Sequence, residues 1–435
     1  MTETSGSLVR TIGRWSLAAL MVNTMIGASI FGLPSVIAGY LGRMSPLGYL
    51  VAGTGVAVIA ACLAEVASQF QEAGGPYLYA RAAFGQFVAI QIGWLTWLSR
   101  ISAASAVANL FITYLSEFFP SVSGGVLRTT ILAMTIGFLA GVNYRGVKIG
   151  NWLSNFFTIT KVALLVFFLA AGLVALFLHA NIGVIPARVD VTWADWVHAV
   201  ILMIYAYSGF EAALFASGEA RNIRKDVPIA LLAALTSVTL LYVAMQYVVI
   251  HTLPNAAASG KPAVDAARHF LSPLGVTLVT MGTLVSVYGY LSAGMLHTPR
   301  LTFAMGRQGD FPAFFAAVHP RFRSPYVSII TFAALVIAFS VGGSFRWNAT
   351  LSAVSRLFVY GCIAAALPAL RKKQPGADAF RLPGGMLFPV LALVFTGVLI
   401  TQMHLREVMV IAITFTMALV NWLFVRGGRK VSPAK

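Results

Sequence analysis

Residues 25–34 read MIGASIFGLP and lie in the middle of an apolar segment that runs from about residue 15 to residue 40. A helix of this length can cross the roughly 30 Å apolar core of a membrane. Gly27 and Gly32 weaken such a helix, and Pro34 removes one of its backbone hydrogen bonds. At this depth a break is tolerated only where protein buries it or where it lines a cavity. The stretch therefore predicts a membrane protein with a functional site at mid-depth.

The composition of the whole chain agrees with this reading. Hydrophobic residues are 59% of the 435 residues and charged residues only 10%, against about 45–50% and about 25% in soluble proteins. This balance excludes a soluble enzyme, a disordered tail and a disulfide scaffold. Windows of about 20 apolar residues predict twelve spans, at roughly 15–40, 47–70, 83–117, 129–143, 150–178, 194–218, 228–252, 273–299, 326–343, 348–370, 385–402 and 406–425.

The net charge of +17 is explained by topology rather than by nucleic-acid binding. Of the 30 lysines and arginines, 20 fall on the N-terminus, alternate loops and the C-terminal tail, and seven fall on the opposite loops. Cytoplasmic loops carry the excess of positive charge, so we expect both termini in the cytoplasm and an inner (plasma) membrane location. The remaining three cations lie inside predicted spans and are Arg100, Lys161 and Arg356.

The chain carries no sequence signal for catalysis or for a cofactor. Cys62 and Cys362 lie far apart in apolar runs and read as small buried residues. Metal-binding, phosphate-binding and nucleophile motifs do not occur in the sequence. We therefore expect no enzyme activity, no metal ion and no cofactor, and no nucleic-acid partner.

A second interruption occurs in the sixth predicted span, where residues 205–211 read YAYSGFE. The two breaks lie five spans apart, and the two helices that carry them run in opposite directions. This arrangement predicts an inverted repeat with a binding site at the midplane. The expected organisation is an N-terminal segment, two five-helix repeats, two further helices and a tail, over residues 1–14, 15–178, 194–370, 385–425 and 426–435.

Helix ends at the two breaks suggest what the site binds. A half-helix that begins near Ser29 or Ile30 presents free N–H groups, which suit a carboxylate. A half-helix that ends near Tyr207 or Ser208 presents free carbonyls, which suit an ammonium group. The two together fit the zwitterion of an α-amino acid. Three aromatic residues are candidate walls for its side chain: Phe31, Phe210 and Tyr288.

Several motifs resemble those of the amino acid–polyamine–organocation (APC) superfamily. The stretch 27–34 resembles its first-helix signature, and residues 209–211, 219–222 and 226–228 resemble its sixth helix and the loop that follows. The loop at 72–77 with 83–85, and the residues 299–300, 304–310 and 318–321, resemble two further loops of the family. The resemblance covers nearly the whole chain in the right order, but its motifs do not specify a substrate.

The resemblance implies an all-α integral membrane fold of about twelve transmembrane helices, with a five-plus-five inverted repeat of the leucine-transporter type and broken helices 1 and 6. Family members bind the substrate carboxylate on backbone amides that match Gly27, Ala28 and Ser29. Their amino-group ligands match carbonyls of Met25 or Ile26, Tyr205 and Ser208, next to Gly209. Many members have Gly-Ser-Gly where this chain has Gly-Ala-Ser, so the hydroxyl lies one position later and recognition through the backbone is what the resemblance implies.

Charges within the spans are candidate coupling groups. Lys161 matches a helix-five lysine that occupies the sodium position in sodium-independent relatives, although a plain tether between helices is the alternative. Glu211 matches a glutamate associated with proton or pH response, with a structural hydrogen bond as the alternative. Arg100 lies deep in a span and requires a partner or a water-filled cavity, whereas Glu65 and Arg356 lie closer to span ends and could reach water.

The sequence as a whole predicts a secondary active transporter of amino acids, sodium-independent, working as a proton-coupled symporter or as an exchanger. Its partners would be a small-molecule substrate, the lipid bilayer and protons. A polyamine or organic amine carrier of the same fold is the alternative, and a membrane sensor or channel is a more distant one. Glu211 and Glu65 favour a cationic substrate, whereas the apolar and aromatic residues beside the breaks favour a neutral one.

Overall fold

A computed structural model describes residues 13–70, 75–145, 150–178, 190–211, 223–373 and 380–429. Several expectations fall outside these ranges: most of the N-terminal segment, the end of the C-terminal tail, and the motif residues 72–74 and 219–222.

The described residues are helical and contain no strand. The α-helices are α1 Arg14–Met25, α2 Ser29–Leu41, α3 Ser45–Ser68, α4 Gly75–Phe84, α5 Gln86–Leu115, α6 Gly125–Arg145, α7 Gly150–Leu178, α8 Trp193–Tyr207, α9 Ile223–Thr252, α10 Pro262–Ala267, α11 Pro273–His297, α12 Pro299–Arg307, α13 Tyr326–Gly342, α14 Phe345–Lys373, α15 Leu387–Ile400 and α16 Leu405–Arg429.

Eight helical stretches of the described chain are long and apolar enough to cross a membrane. They are Ser29–Ser68, Gln86–Leu115, Gly125–Arg145, Thr160–Leu178, Lys225–Thr252, Pro273–Arg307, Phe345–Lys373 and Leu405–Arg426. Two shorter helices, Tyr326–Gly342 and Leu387–Ile400, are also apolar. The described part of the chain is thus all-helical, and its helices suit a membrane.

Both predicted breaks are present. The first helix ends at Met25 and the next begins at Ser29, so residues 26–28 interrupt the segment that the sequence marks. The other break follows Tyr207, where a turn at Ser208 and Gly209 precedes two further helical residues.

The packing of the helices brings the breaks to the centre of the molecule. Helix α2 lies against α8, α9 packs on α1 and α3, and α14 packs along α5. The central helix α5 is buried over most of its length, whereas α6 and α16 expose large apolar side chains such as Met134, Phe138 and Phe424. Apolar surface of this kind costs free energy in water and suits lipid.

One ion pair ties the end of α14 to α3. The guanidinium of Arg371 donates from Nε and Nη2 to the two carboxylate oxygens of Glu65, each at 2.7 Å. The backbone N–H of Leu382 donates to the same carboxylate at 2.8 Å. Glu65 is fully buried, so the expectation that it reaches water at a span end is wrong. A bidentate arginine supplies the compensation that a buried carboxylate requires.

Candidate substrate-binding site

The two breaks touch one another through their backbones. Gly209 has φ = 121°, a conformation that side chains rarely adopt. A Cβ at this position would overlap the carbonyl oxygen of Thr24 in the last turn of α1. Glycine is therefore required here for both conformation and space, and it allows the turn after α8 to lie directly on the end of α1.

Lys161, a residue of α7, binds the backbone of the first break. Its ammonium donates to the carbonyl oxygen of Asn23 and, at 2.8 Å, to that of Ile26. These carbonyls belong to the end of α1, where the helix leaves backbone acceptors without intrahelical donors. The negative end of the helix dipole also favours a cation at this position. Lys161 therefore lies on the backbone of the first break.

Tyr242 on α9 joins the two breaks and was not anticipated from the sequence. Its hydroxyl lies 2.9 Å from the carbonyl oxygen of Met25 and 2.9 Å from that of Ala206. The side chain of Ser29 is 3.5 Å away. With 1% of its surface exposed, this tyrosine is a buried link between the ends of α1 and α8.

A small cavity lies between the breaks. The free space inside it is about 10 Å³, and its walls are Met25, Gly27, Ala28, Ser29, Tyr205, Ala206, Ser208 and Tyr290. Pockets for small ligands usually measure about 300–1,000 Å³. An amino acid therefore fits only if the wall moves, and the ring of Tyr290, which lies against Gly27, is a side chain that can do so.

The ends of α2 and α8 give the cavity two kinds of backbone group. Helix α2 begins at Ser29 with no side chain capping its first turn, so its N–H groups and its positive dipole end suit a carboxylate. Helix α8 ends at Tyr207, and the Ser208 hydroxyl donates to the carbonyl of Tyr205 at 2.7 Å. The remaining lone pairs of the carbonyls at the ends of α1 and α8 can accept from an ammonium group.

Five of the candidate binding residues do not line this cavity in the structure. Ile26 presents its carbonyl to Lys161, and Gly209 contacts the backbone of Thr24. The other three are aromatic: Phe31 and Phe210 are buried, Phe210 beside Tyr360, and Tyr288 lies near Phe111. Tyr290 lines the cavity instead of Tyr288. Positions two apart on a helix point in different directions, which separates these two tyrosines.

Glu211 forms a buried ion pair just beyond the second break. One carboxylate oxygen bonds to the guanidinium of Arg356 on α14, and the other accepts from the N–H of Gly209 at 2.8 Å. Glu211 is 4% and Arg356 5% exposed. The expectation that Arg356 reaches water near a span end is therefore wrong. The pair fixes α14 to the turn that ends α8.

Comparison with known proteins places this arrangement in a family. The family model described as "Amino acid permease" matches residues 12–426, which include both breaks, Lys161 and Arg356. The chain belongs to the amino acid permease family. The superfamily assignment made from the motifs is thereby confirmed.

Three proteins from Bacillus subtilis (strain 168) are similar to this chain over nearly their full length. A methylthioribose transporter is 28% identical over 92% of this chain and 89% of its own length. The serine/threonine exchanger SteT is 27% identical over 90% of each chain. The branched-chain amino acid permease BcaP is 26% identical over 93% of this chain and 90% of its own. The names of all three describe transport. This chain is accordingly a multi-pass membrane protein of a transporter family.

The sequence does not mark two tyrosines of the site, and it marks Arg356 as a charge within a span without indicating its partner. Tyr242 and Tyr290 lie within continuous apolar helices, and Arg356 lies 145 positions from its partner Glu211. Which face of a helix meets a break depends on the packing of all helices around it. For Tyr242, the one usable hint is that a buried tyrosine hydroxyl generally needs a partner.

Proposed function

We propose that the protein is a secondary active transporter that carries an amino acid across the membrane by alternating access. The observation that carries the proposal is the meeting of two broken helices around one cavity. The start of α2 offers N–H groups and the end of α8 offers carbonyls, so the two charged groups of an amino acid meet opposite backbone charges. The small volume of the cavity is consistent with a site that opens to each side in turn.

Lys161 supports independence from sodium. Its ammonium bonds to the carbonyls of Asn23 and Ile26, so a positive charge is already supplied where carbonyls would otherwise attract a metal cation. We propose proton-coupled symport or exchange, with Lys161 and Glu211 as the coupling and gating groups. Glu211 fits a gating role because its carboxylate links the turn at Gly209 to α14.

The topology belongs to the same proposal. Joining α1 with α2, counting α8 as part of the sixth predicted span, and adding the shorter α13 and α15 gives about twelve spans. Helices of the first five spans would repeat, inverted, in the second five. The excess of lysine and arginine on alternate loops supports cytoplasmic termini in an inner (plasma) membrane.

The substrate class is tested by uptake into proteoliposomes with a panel of the twenty amino acids, common amines and methylthioribose. The last compound belongs in the panel because the first relative is named for it. A polyamine or amine carrier is the alternative, and saturable uptake of amines without amino acids would support it. Flux that does not saturate with any compound would instead indicate a channel.

Lys161 gives the sharpest test of the mechanism. We expect Lys161→Ala to lose transport while it still elutes as a folded protein, because no cation then holds the carbonyls of α1. Lys372→Ala, at an exposed position near the end of α14, is the matched control and should transport normally. Uptake should not change when sodium is replaced by choline. Near-normal uptake by Lys161→Ala would contradict the assignment.

A further inference from the structure

Arg100 is a cation for which the site described above gives no role. It lies near the middle of α5. All the remaining residues of this helix from 97 to 110 are buried. Arg100 alone keeps partly accessible surface in this stretch. Because the helix is buried around its whole circumference at this level, that surface faces an internal space and not lipid.

Arg100 lies beside the helix that holds the second break, because the neighbouring Ser99 hydrogen-bonds to Ser352 of α14, one turn before Arg356. Arg100 is close enough to interact electrostatically with Glu211, with Tyr360 on α14 and with His297 at the end of α11. The ring of Tyr360 packs against that of Phe210, at 5.8 Å between centroids. Arg100 is therefore part of the same central region as the turn after α8.

The other charges of this region already have partners. Lys161 bonds to two backbone carbonyls, and the two oxygens of Glu211 are taken by Arg356 and by the N–H of Gly209. Arg100, in contrast, makes no hydrogen bond to any residue that the structure describes. Beside the second break the described chain thus places two arginines against one glutamate.

Acidic residues that could attract a cationic substrate are neutralised. Glu211 is paired with Arg356, and Glu65 is paired with Arg371 in bidentate geometry. A further positive charge on the substrate would meet Arg100 with no free carboxylate nearby among the described residues. The electrostatics of the centre therefore oppose a polyamine or a basic amino acid.

We propose that Arg100 binds a second acidic group of the substrate, so that the preferred substrates are acidic amino acids. The inference rests on the proposed function, in which the first carboxylate lies at the start of α2 and the ammonium lies on the carbonyls. A guanidinium binds a carboxylate through two parallel hydrogen bonds, and its accessible surface leaves Arg100 free to do so. Arg100 is then the residue that determines specificity.

Matched pairs of amino acids test the inference in proteoliposomes that contain the full-length protein. L-aspartate is compared with L-asparagine and L-glutamate with L-glutamine, because each pair differs by one charge at nearly constant shape. We expect kcat/KM to be about 10- to 100-fold higher for the acidic member, the range given by one charge-assisted hydrogen bond. L-lysine and putrescine should not compete.

Substitutions at Arg100 separate specificity from stability. Arg100→Gln should abolish the preference for acidic substrates, mainly through KM, and leave uptake of the amides within a few-fold of wild type. Arg100→Lys should keep part of the preference and covers the case in which the glutamine variant fails to fold. Arg406→Gln, at an exposed position of α16, is the control and should leave the preference unchanged.

Each outcome decides one of the two proposals. Efficient uptake of amides or basic amino acids with no acidic preference would overturn the inference and leave the transporter function standing. A preference that survives in Arg100→Gln would also overturn it. If no member of the amino acid panel is transported, the proposed function itself fails, and the inference fails with it.

Discussion

The two breaks are stabilised in different ways. The first is held from outside: Lys161 on α7 and Tyr242 on α9 reach its carbonyls across the molecule. The second is also held by its own residues, since Ser208 bonds back to Tyr205 and Glu211 accepts from Gly209, in addition to its contacts with Tyr242 and Arg356.

This difference indicates where each break is sensitive to change. At the second break the backbone itself is constrained, so small local substitutions should be damaging. At the first break the backbone depends on side chains of other helices, so remote substitutions should act there. Three experiments test this contrast, beginning with the largest expected effect.

The strongest contrast is between Gly209→Ala and Gly27→Ala. The first adds a Cβ against the backbone oxygen of Thr24 and forces alanine into φ = 121°, a strain that alone costs about 1–3 kcal/mol. We expect loss of transport and a clearly lowered unfolding temperature in detergent. At Gly27 the nearest atom to a Cβ is in the Tyr290 ring, at 3.3 Å, and a side chain can shift, so the effect should be mild.

Gly137→Ala is the control for both substitutions, because nothing lies within 4 Å of its Cβ position. An alanine there should be neutral or slightly stabilising within α6. If Gly209→Ala unfolded at the wild-type temperature, the two backbones could not be in the contact described here.

The ion pair at the second break gives the next effect. Glu211→Gln leaves the guanidinium of Arg356 buried without a counter-charge, which typically destabilises a protein by about 3–5 kcal/mol. Chemical unfolding in detergent measures this loss. The double variant Glu211→Gln with Arg356→Met should recover part of it, because neither charge then remains.

A pH–rate profile of the same single variant tests the coupling role. We expect its pH dependence of uptake to differ from that of wild type, and an identical profile would leave Glu211 a structural role only. Stability that is unchanged in the single variant would argue against the ion pair itself.

The smallest effect is expected from Tyr242→Phe, which removes the link between the breaks but keeps the ring. Buried carbonyls left without a donor cost about 1–3 kcal/mol, and substrate KM should rise because the first break loses a support. Tyr49→Phe is the matched control, since its ring packs at 5.6 Å from that of Tyr242 while its hydroxyl makes no hydrogen bond within the described chain. Equal stability and equal substrate KM of the two variants would show that the Tyr242 hydroxyl does not support the site.

The positions of the breaks could be predicted from the sequence because their causes are local. Gly27 and Gly209 free the backbone from helical geometry, and each lies in a stretch that the sequence marks, 25–34 or 205–211. Pro34, which the sequence also marks, instead lies inside the continuous helix α2. The partners of the breaks could not be predicted, because they depend on rotation of one helix against another. Tyr288 and Tyr290 are equivalent in sequence, and only packing brings Tyr290 to the cavity. Similarly, a motif marks Glu211 in the sequence, but its pairing with Arg356 removes the free charge that would favour a cationic substrate.

The hydrogen bonds of Tyr242 leave the site with more acceptors than donors. A phenol carries one hydrogen, yet two carbonyl oxygens, one on each break, lie 2.9 Å from this hydroxyl. One hydrogen cannot fully serve both, so the pair always holds an acceptor in excess. An ammonium group, with three hydrogens, relieves this shortage without displacing the tyrosine, whereas a carboxylate would meet only oxygen lone pairs. The hydrogen deficit thus gives a reason why an amino acid would bind in one orientation and not in the reverse.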